Sequence, residues 1–214
     1  MQHLRACLLI LSMLTPFATL AEGERAGEFD YYVMSLSWSP NWCELTGDAR
    51  RSSQCADDTG HGWTLHGLWP QYTRGYPSYC QSGQRPPSRA QTGAMADIMG
   101  TGGLALHQWK KHGSCTGLDP ADYFALSREA YGRVTRPQVF RKLNRDVALP
   151  ASVVEEAFLK ANPKLKPEGI TITCNQGHIQ EARICLSRTL EFIPCGPDVR
   201  RDCTLEDALF TPLR

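Results

Sequence analysis

The stretch HQWKKHGSC, residues 107–115, brings together two histidines, two lysines and a glutamine, with no carboxylate among them. A helix turns by about 100° per residue, so positions three or four apart share a face. Four polar side chains then fall within an arc of about 140°: His107, Gln108, Lys111 and His112. Gly113 is expected to end the helix. The stretch therefore predicts a helix with one cationic, donor-rich face, with Lys110 pointing into solvent and Trp109 into the core.

Such a face suits an anion whose negative charge grows during a reaction, above all a phosphodiester. Cleavage of RNA needs a base for the 2′-hydroxyl proton, an acid for the leaving 5′-oxygen and donors for the phosphoryl oxygens. Histidine suits both proton-transfer roles because it titrates near working pH. The stretch WTLHGLWPQY, residues 63–72, supplies a second histidine, His66, beside Trp69 on a predicted strand. His61 is interpreted as a loop residue and His178 as a structural one.

A zinc site is the main alternative for these histidines. His107 and His112 are five positions apart, whereas the helical zinc motif His-Glu-x-x-His places its histidines four apart with a glutamate between them. The sequence also contains no Cys-x-x-Cys pair. The spacing argues against a metal site, and we expect neither a metal nor another cofactor.

Strands are predicted near both ends of the chain, with helices between them. The predicted strands cover residues 28–40, 62–70, 169–174, 178–186 and 189–195. The predicted helices cover residues 104–112, 119–131 and 152–161. The second helix has a capping residue at Asp119, and the third has a capping box of Ser152 and Glu155. Residues 71–103, rich in Gly, Pro and Ser, are predicted to form a long loop. This order predicts a single α+β domain with helices packed on an antiparallel sheet.

The first residues, MQHLRACLLILSMLTPFATLAEG, have the pattern of a secretory signal peptide. Arg5 precedes an apolar run over residues 6–14, and the small residues around Ala21 suit cleavage after that position. We therefore expect a signal peptide over residues 1–21, one domain over residues 22–214 and a secreted or periplasmic product. No later stretch is long enough to span a membrane, so we expect no membrane partner. We also expect a monomer.

The charges nearly balance, with 23 basic and 22 acidic residues, so no global positive field is available to hold duplex nucleic acid. Of nine cysteines, Cys7 lies in the predicted signal peptide. The other eight are Cys43, Cys55, Cys80, Cys115, Cys174, Cys185, Cys195 and Cys203. An even number in an exported chain indicates four disulfides, although spacing alone does not choose among the many possible pairings.

Two of these stretches resemble the active-site segments of the ribonuclease T2 family. HGLWP, residues 66–70, matches the first family motif throughout. HQWKKHGSC follows about forty positions later and resembles the second motif, His-Glu-Trp-x-Lys-His-Gly-Thr-Cys. It matches seven of the eight specified positions if Ser114 is allowed for threonine. GYPSYC, residues 75–80, resembles the family's loop after the first motif. The resemblance covers most of the chain after the signal peptide.

The resemblance implies an endoribonuclease that cleaves single-stranded RNA without a metal and with little base specificity. The first step would give a 2′,3′-cyclic phosphate, and the second step would hydrolyse it to a 3′-phosphate. By position in the motifs, His112 would be the base and His66 the acid in the first step, with the roles exchanged in the second. Lys111 and Gln108 would stabilise the pentacoordinate phosphorane, and His107 would bind phosphate.

The resemblance also implies base contacts and a disulfide pattern. Trp69 and Tyr76 would stack on a base. Gln71 lies where some members contact the first base through Asp or Asn, and Leu104 lies where many members have an aromatic at the second base site. The implied disulfides are Cys43–Cys55, Cys80–Cys115, Cys174–Cys203 and Cys185–Cys195.

Three residues depart from the family pattern. Gln108 replaces a glutamate, which bears on the rate and its pH dependence, whereas Gln71 and Leu104 bear on base preference. A catalytically impaired RNA-binding relative is therefore the second hypothesis, and a zinc-dependent phosphodiesterase is the third. Digestion of RNA with and without EDTA separates these hypotheses.

Overall fold

A six-stranded sheet organises residues 24–214, the part of the chain that this computed structural model describes. Its strands are β1 (Tyr31–Trp38), β2 (Trp63–Gln71), β3 (Val147–Leu149), β4 (Ile170–Asn175), β5 (His178–Leu186) and β6 (Ala208–Phe210). The helices are α1 (Ser39–Trp42), α2 (Arg89–Gly93), α3 (Ala96–Met99), α4 (Gly102–Lys111), α5 (Pro120–Arg133) and α6 (Ala151–Ala161). The strand order is β2-β1-β5-β6-β3, and β4 also pairs with β5. These strands pair antiparallel except at the single bridge between β5 and β6.

This architecture confirms the predicted α+β class. The predicted signal peptide, residues 1–21, lies outside the described residues. None of the helices within residues 24–214 combines the length and apolarity needed to cross a lipid bilayer.

Strand β1 has one face in the main apolar core and its other face towards open space. Alternate residues of β1 enter the main core: Tyr32, Met34, Leu36 and Trp38. On the opposite face, Tyr31 and Val33 join a smaller apolar cluster, and Ser35 and Ser37 continue the row. The two serines are short, so they leave space above the centre of the sheet.

A β-bulge in β2 places His66 on the open face. The register of β2 against β1 skips His66, which is the extra residue of the bulge. The alternation of β2 therefore changes at this point, and Leu65 and Leu68, three positions apart, both enter the main core. For the same reason, His66 and Trp69 share the opposite face, where both line one cavity.

The helices cover the main core with their apolar sides. Helix α4 contributes Trp109 to that core, as the sequence predicts. The helix ends at Lys111 and is followed by a 3₁₀ turn over Gly113–Thr116, in agreement with the predicted stop. Helix α5 begins after Asp119, whose carboxylate accepts a 2.9 Å hydrogen bond from the backbone N–H of Asp122.

Two local predictions about helices are wrong. The capping box of Ser152 and Glu155 is not formed, because α6 already begins at Ala151, directly after a proline. The predicted loop over residues 71–103 contains α2 and α3. Helix α2 has its own capping box at Ser88, and both helices are too short for their apolar period to stand out in the sequence.

Two predictions about strands also differ from the structure. Residues 189–195 form no strand, and only Phe192 makes a β-bridge, to Leu186. Leu190 turns the backbone there with a positive φ of 64°. The three-residue strands β3 and β6 pair with each other but were not predicted, because three residues carry too little periodicity.

Four disulfides join the cysteines in the pairs that the resemblance implies: Cys43–Cys55, Cys80–Cys115, Cys174–Cys203 and Cys185–Cys195. Cys80–Cys115 ties the loop after β2 to the turn after α4. Cys185–Cys195 ties β5 to the C-terminal segment. Cys185 and Cys195 belong to the smaller apolar cluster, on the open face of the sheet.

Candidate active site

A cavity of about 460 Å³ opens where β1, β2 and β5 meet the end of α4 and the C-terminal segment. Eight of the nine residues predicted for catalysis and substrate binding line it: His66, Trp69, Gln71, Tyr76, His107, Gln108, Lys111 and His112. The ninth, Leu104, lines a neighbouring cavity of about 560 Å³ that shares His66 and His107 with the first. The fold therefore brings the two sequence motifs together at one place.

His66 is held by a carboxylate that the sequence analysis did not single out. Its Nδ1 lies 2.5 Å from Oε1 of Glu181, whose side chain is 2% exposed. Arg183 donates to the other oxygen of this carboxylate, from Nε at 2.9 Å and from Nη2 at 2.7 Å. Burial tends to raise the pKa of Glu181, but the hydrogen bond and charge of His66 and the charge of Arg183 lower it to about 2. Glu181 is therefore ionised. Its contact uses Nδ1 of His66, so the other ring nitrogen, Nε2, can contact a substrate.

His112 has the opposite environment. It is 4% exposed, and its Nδ1 is buried with no hydrogen-bond partner among residues 24–214. Burial lowers the pKa of His112 to about 3, and the positive charges of Lys111, His66 and His107 act in the same direction. The ring is therefore neutral over most of the pH range, and its Nε2 can accept a proton.

Trp69 contacts both of these imidazoles. The ring of His66 meets it edge-on, with centroids 5.2 Å apart and planes at 81°. The ring of His112 stacks against it, also with centroids 5.2 Å apart, at 28°. The guanidinium of Arg183 lies 5.5 Å from the indole centroid. One indole thus positions both histidines, and the face that stacks on His112 is already covered.

Gln108 is oriented by the same indole. Nε1 of Trp69 donates a 2.7 Å hydrogen bond to Oε1 of Gln108. Gly67 makes this contact possible, because a Cβ there would overlap both atoms. An indole N–H only donates, so the amide oxygen must face Trp69 and the NH₂ group must point elsewhere. Gln108 therefore brings donors to the cavity and no negative charge.

Lys111, Tyr76 and His107 lie towards the open side of the cavity. The ring centroid of Tyr76 is 5.7 Å from Nζ of Lys111 and 5.9 Å from the centroid of His112. Tyr76 is 48% exposed, so its ring is accessible. Burial lowers the pKa of His107, as do the charges of Lys111 and His66. The entrance thus combines the ammonium of Lys111 and the imidazole of His107 with an exposed aromatic ring.

The two residues expected to influence base preference differ in freedom. Gln71 is buried, and its Nε2 donates a 2.9 Å hydrogen bond to the carbonyl of Pro70. The same Nε2 lies 3.5 Å from the carbonyl of Trp69, so the backbone holds the NH₂ group and the amide oxygen remains for a base edge. Leu104 is half-buried in the neighbouring cavity, beside the polar side chains of Arg50 and Thr101.

Sequence reasoning missed Glu181, Arg183 and Asp198. Oδ2 of Asp198 accepts a 2.6 Å hydrogen bond from the backbone N–H of Gly75, which joins the C-terminal segment to the loop that carries Tyr76. A signal for the first two was present, since Glu181 and Arg183 alternate with apolar residues in the predicted strand 178–186. Such alternation places both charges on the face opposite the core.

The predicted bystander histidines lie away from this cavity. His61 precedes β2 without belonging to a strand, and His178 is buried with Glu44 3.6 Å from its Nε2. Within residues 24–214, no group of three or more His, Cys, Asp or Glu side chains is arranged to hold a metal ion.

Comparison with known proteins relates this arrangement to ribonucleases. A protein of Aeromonas hydrophila named "Ribonuclease" is 45% identical over 112 residues, which are 52% of this chain and 49% of that protein. A "Probable ribonuclease" of Haemophilus influenzae is 32% identical over 179 residues, which are 78% of this chain and 61% of that protein. The chain thus spans about half of the first relative and 61% of the second.

The fold also matches solved structures. RNase NT, solved in complex with 5′-AMP, superposes with a TM-score of 0.61 at 18% identity, over 87% of this chain and all of that one. The sequence model of the Ribonuclease T2 family matches residues 29–195, a span that contains both motifs and the strand with Glu181. The chain belongs to the Ribonuclease T2 family.

Proposed function

We propose that the protein is an exported endoribonuclease that cleaves single-stranded RNA without a metal ion or other cofactor. In this proposal, residues 1–21 are a signal peptide and residues 22–214 are the catalytic domain. The enzyme acts as a monomer in the periplasm or the medium. Family membership and the names of the relatives support the activity.

The contrast between the two histidines beside Trp69 carries the proposal. His112 stays neutral because burial lowers its pKa to about 3. His66 instead shares a hydrogen bond with the ionised carboxylate of Glu181. A neutral imidazole suits a general base, and an imidazole beside a carboxylate suits a general acid, since the carboxylate stabilises the imidazolium. The contrast supports His112 as the base and His66 as the acid of the first step.

In the first step, Nε2 of His112 would take the proton of the 2′-hydroxyl, and the 2′-oxygen would attack phosphorus. Nε2–H of His66 would give its proton to the 5′-oxygen as the P–O5′ bond breaks, which leaves a 2′,3′-cyclic phosphate. In the second step, His66 would take a proton from water, which attacks phosphorus. His112 would return its proton to the 2′-oxygen as the P–O2′ bond breaks, which yields a 3′-phosphate.

Three further side chains would bind the phosphoryl oxygens: Lys111, Gln108 and His107. A charge that grows in the transition state is stabilised most by donors that are already in place, and the Trp69 hydrogen bond holds the amide of Gln108 before any substrate arrives. The solved complex of RNase NT with 5′-AMP shows that this fold can hold a nucleotide, which supports a phosphate site here.

Bases would be bound mainly by stacking. The exposed ring of Tyr76 offers an aromatic face, and Trp69 contributes the part of its indole that His112 leaves uncovered. Stacking is tolerant of base identity. Gln71 would add one acceptor at the first base site, and Leu104 would contact the second base in the neighbouring cavity.

The test compares the wild type with His66→Ala and His112→Ala on RNA, with and without EDTA, and identifies the products. We expect each variant to lose at least about a thousandfold in kcat, because each lacks a proton-transfer group. The wild type should give a 2′,3′-cyclic phosphate both with and without EDTA. Either variant retaining more than about a tenth of wild-type activity would contradict the assignment. Loss of activity in EDTA would point to the zinc-dependent phosphodiesterase.

A catalytically impaired RNA-binding protein is the second candidate. The observation that favours it is Gln108, which stands where the family motif has a glutamate. An inactive wild type that still binds single-stranded RNA would support this candidate.

A further inference from the structure

We infer that Glu181 is a positioning residue for His66: it fixes the ring tautomer and stabilises the imidazolium that protonates the leaving oxygen. The inference rests on the proposed function and deepens it. It starts from the 2.5 Å contact between Nδ1 of His66 and Oε1 of Glu181. Neither family motif contains this glutamate, because it lies about seventy positions beyond the second motif, on β5.

The sheet is built so that this contact can form. β5 and β2 lie on either side of β1, so their backbones are about 10 Å apart. Ser37 of β1 is the direct partner of Glu181, and Ser35 is that of Arg183. The short serine side chains leave a path over β1 along which the longer side chains of β5 reach those of β2. The bulge at His66 presents the imidazole to the same face.

Arg183 makes the carboxylate a fixed acceptor. Its guanidinium binds Oε2 of Glu181 through two nitrogens, while Oε1 is left for His66. An ionised carboxylate has no proton to give, so the proton in this contact lies on Nδ1. The neutral ring then carries its lone pair on Nε2, and the charged ring carries a proton there. His66 needs a proton on Nε2 to act as an acid and a lone pair on Nε2 to act as a base.

Three other groups that can carry a positive charge line the cavity with His66. His107, Lys111 and His112 all approach from α4 and its end, and each is cationic or can become so. Gln108 brings no negative charge to balance them. Glu181 is therefore the carboxylate that contacts the proposed acid, and Arg183 partly offsets its charge. A second carboxylate, that of Asp198, also lines the cavity, but its Oδ2 accepts a hydrogen bond from the backbone N–H of Gly75.

The test uses two substrates that differ in their need for an acid. In a dinucleoside phosphate, the leaving 5′-oxygen needs a proton, whereas in the 4-nitrophenyl ester of a nucleoside 3′-phosphate the phenolate leaves without one. For Glu181→Gln, we expect kcat/KM on the dinucleoside phosphate to fall at least about tenfold, a part of what a general acid contributes. For the 4-nitrophenyl ester, kcat/KM should change by less than about threefold. In the pH–rate profile for the dinucleoside phosphate, the alkaline limb should move to lower pH.

Glu44→Gln is the matched control. Glu44 also approaches a histidine, His178, at 3.6 Å, but both lie outside the cavity. This variant should leave both substrates and the pH profile unchanged. Glu181→Asp keeps the charge on a shorter side chain and should recover part of the loss. A wild type inactive on both substrates would refute the proposed function itself. Equal losses on both substrates with Glu181→Gln, or no loss on either, would overturn only the role of Glu181.

A measurement on the wild type covers the case in which Glu181→Gln fails to fold. Two-bond ¹H–¹⁵N spectra of the ¹⁵N-histidine-labelled protein report which nitrogen carries the proton. The His66 signal is assigned by its loss in His66→Ala. We expect neutral His66 to carry its proton on Nδ1. A proton on Nε2 would exclude the proposed arrangement.

Discussion

The indole of Trp69 donates to the amide oxygen of Gln108 across 2.7 Å, which turns the NH₂ group of that amide away from the indole. Trp69, on β2, thus determines which end of the Gln108 amide is available to the cavity. Glutamine has a donor available at any pH, whereas a glutamate at this position would have one only when protonated. Replacing Gln108 tests how much this donor contributes.

Gln108→Leu should lower kcat about a hundredfold, the loss expected for one transition-state donor. Gln108→Glu should change the peak rate less than about tenfold, roughly 1.4 kcal/mol. Gly67→Ala should resemble Gln108→Leu, because the added Cβ would displace the amide from Trp69. Steady-state kinetics on one dinucleoside phosphate measure all three. A rise of several hundredfold in Gln108→Glu would show that the natural protein is an impaired enzyme.

The acidic limb of the pH–rate profile should lie far below neutral pH. Burial lowers the pKa of His112 to about 3, so this proposed base remains deprotonated in mildly acidic solution. In Gln108→Glu, the new carboxylate would favour the charged ring, and this limb should move to higher pH. Measurement of kcat/KM between about pH 3 and pH 8 checks both statements, because it reports groups of the free enzyme. An acidic limb between about pH 6 and 7 in the wild type would contradict the base assignment.

Acid should destabilise the fold through His112 and Glu181. His112 binds a proton in the unfolded chain below about pH 6.5, but in the folded protein only near pH 3. Its contribution is therefore fully present above about pH 6.5 and declines as the pH falls towards 3. The pKa of Glu181 is lowered to about 2, so its contribution declines from about pH 4.3, the ordinary pKa of glutamate, towards pH 2.

Urea unfolding of the wild type and of His112→Gln at pH 7, 5 and 4 isolates the first contribution. As the pH falls, the wild type should lose unfolding free energy relative to His112→Gln, because only the wild type binds a proton at residue 112 when it unfolds. The same comparison with Glu181→Gln should change mainly below about pH 4.3. Variants whose pH dependence parallels the wild type would contradict the linkage.

The Cys80–Cys115 disulfide should support substrate binding as well as stability. It holds the loop with Tyr76 against the end of α4, where the backbone N–H of Tyr79 also donates 2.9 Å to the carbonyl of Lys111. Replacing both cysteines with alanine should lower the unfolding free energy by about 2–5 kcal/mol. It should also raise KM, since the exposed ring of Tyr76 loses its fixed position.

Cys174–Cys203 is a matched control for that bridge. Its sequence separation is 29, against 35 for Cys80–Cys115, and neither of its cysteines lines the cavity. Its removal should cost similar stability and leave KM unchanged. If both double variants raise KM alike, the effect belongs to general loosening of the fold.

Cleavage should be broad in base choice. The amide of Gln71 is held by the carbonyl of Pro70, and the remaining first-site contacts are aromatic faces. We expect kcat/KM across the sixteen dinucleoside phosphates to vary by less than about a thousandfold, since each hydrogen-bonded readout contributes roughly 1–3 kcal/mol. A wider spread would identify a base-reading contact, and Asp198 would be the first residue to replace.

The sequence predicted the helical half of the site better than the sheet half. A period of 100° per residue was enough to gather His107, Gln108, Lys111 and His112 on one face, because these residues are close in the chain. Glu181 meets His66 only through the register of β5 on β1 and the bulge in β2. The alternation of polar and apolar residues in a strand shows which face of the sheet each side chain is on. It does not show which residue of the adjacent strand lies beside it.

Asp198 was missed for a related reason. It reaches the cavity through a C-terminal segment without regular structure, which Cys185–Cys195 anchors to β5. The helices α2 and α3 were missed because one or two turns do not display a periodic pattern.

Trp69 joins the sheet to the helix at three points: it touches His66 on its own strand and His112 and Gln108 at the end of α4. A slide of α4 along β2 by one helical turn, about 5.4 Å, would break the stacking and the hydrogen bond together. The spacing between the two proposed proton-transfer residues, His66 and His112, is therefore set by one rigid side chain that contacts both. Substrate binding need not assemble the pair, so its free energy remains available to favour the transition state.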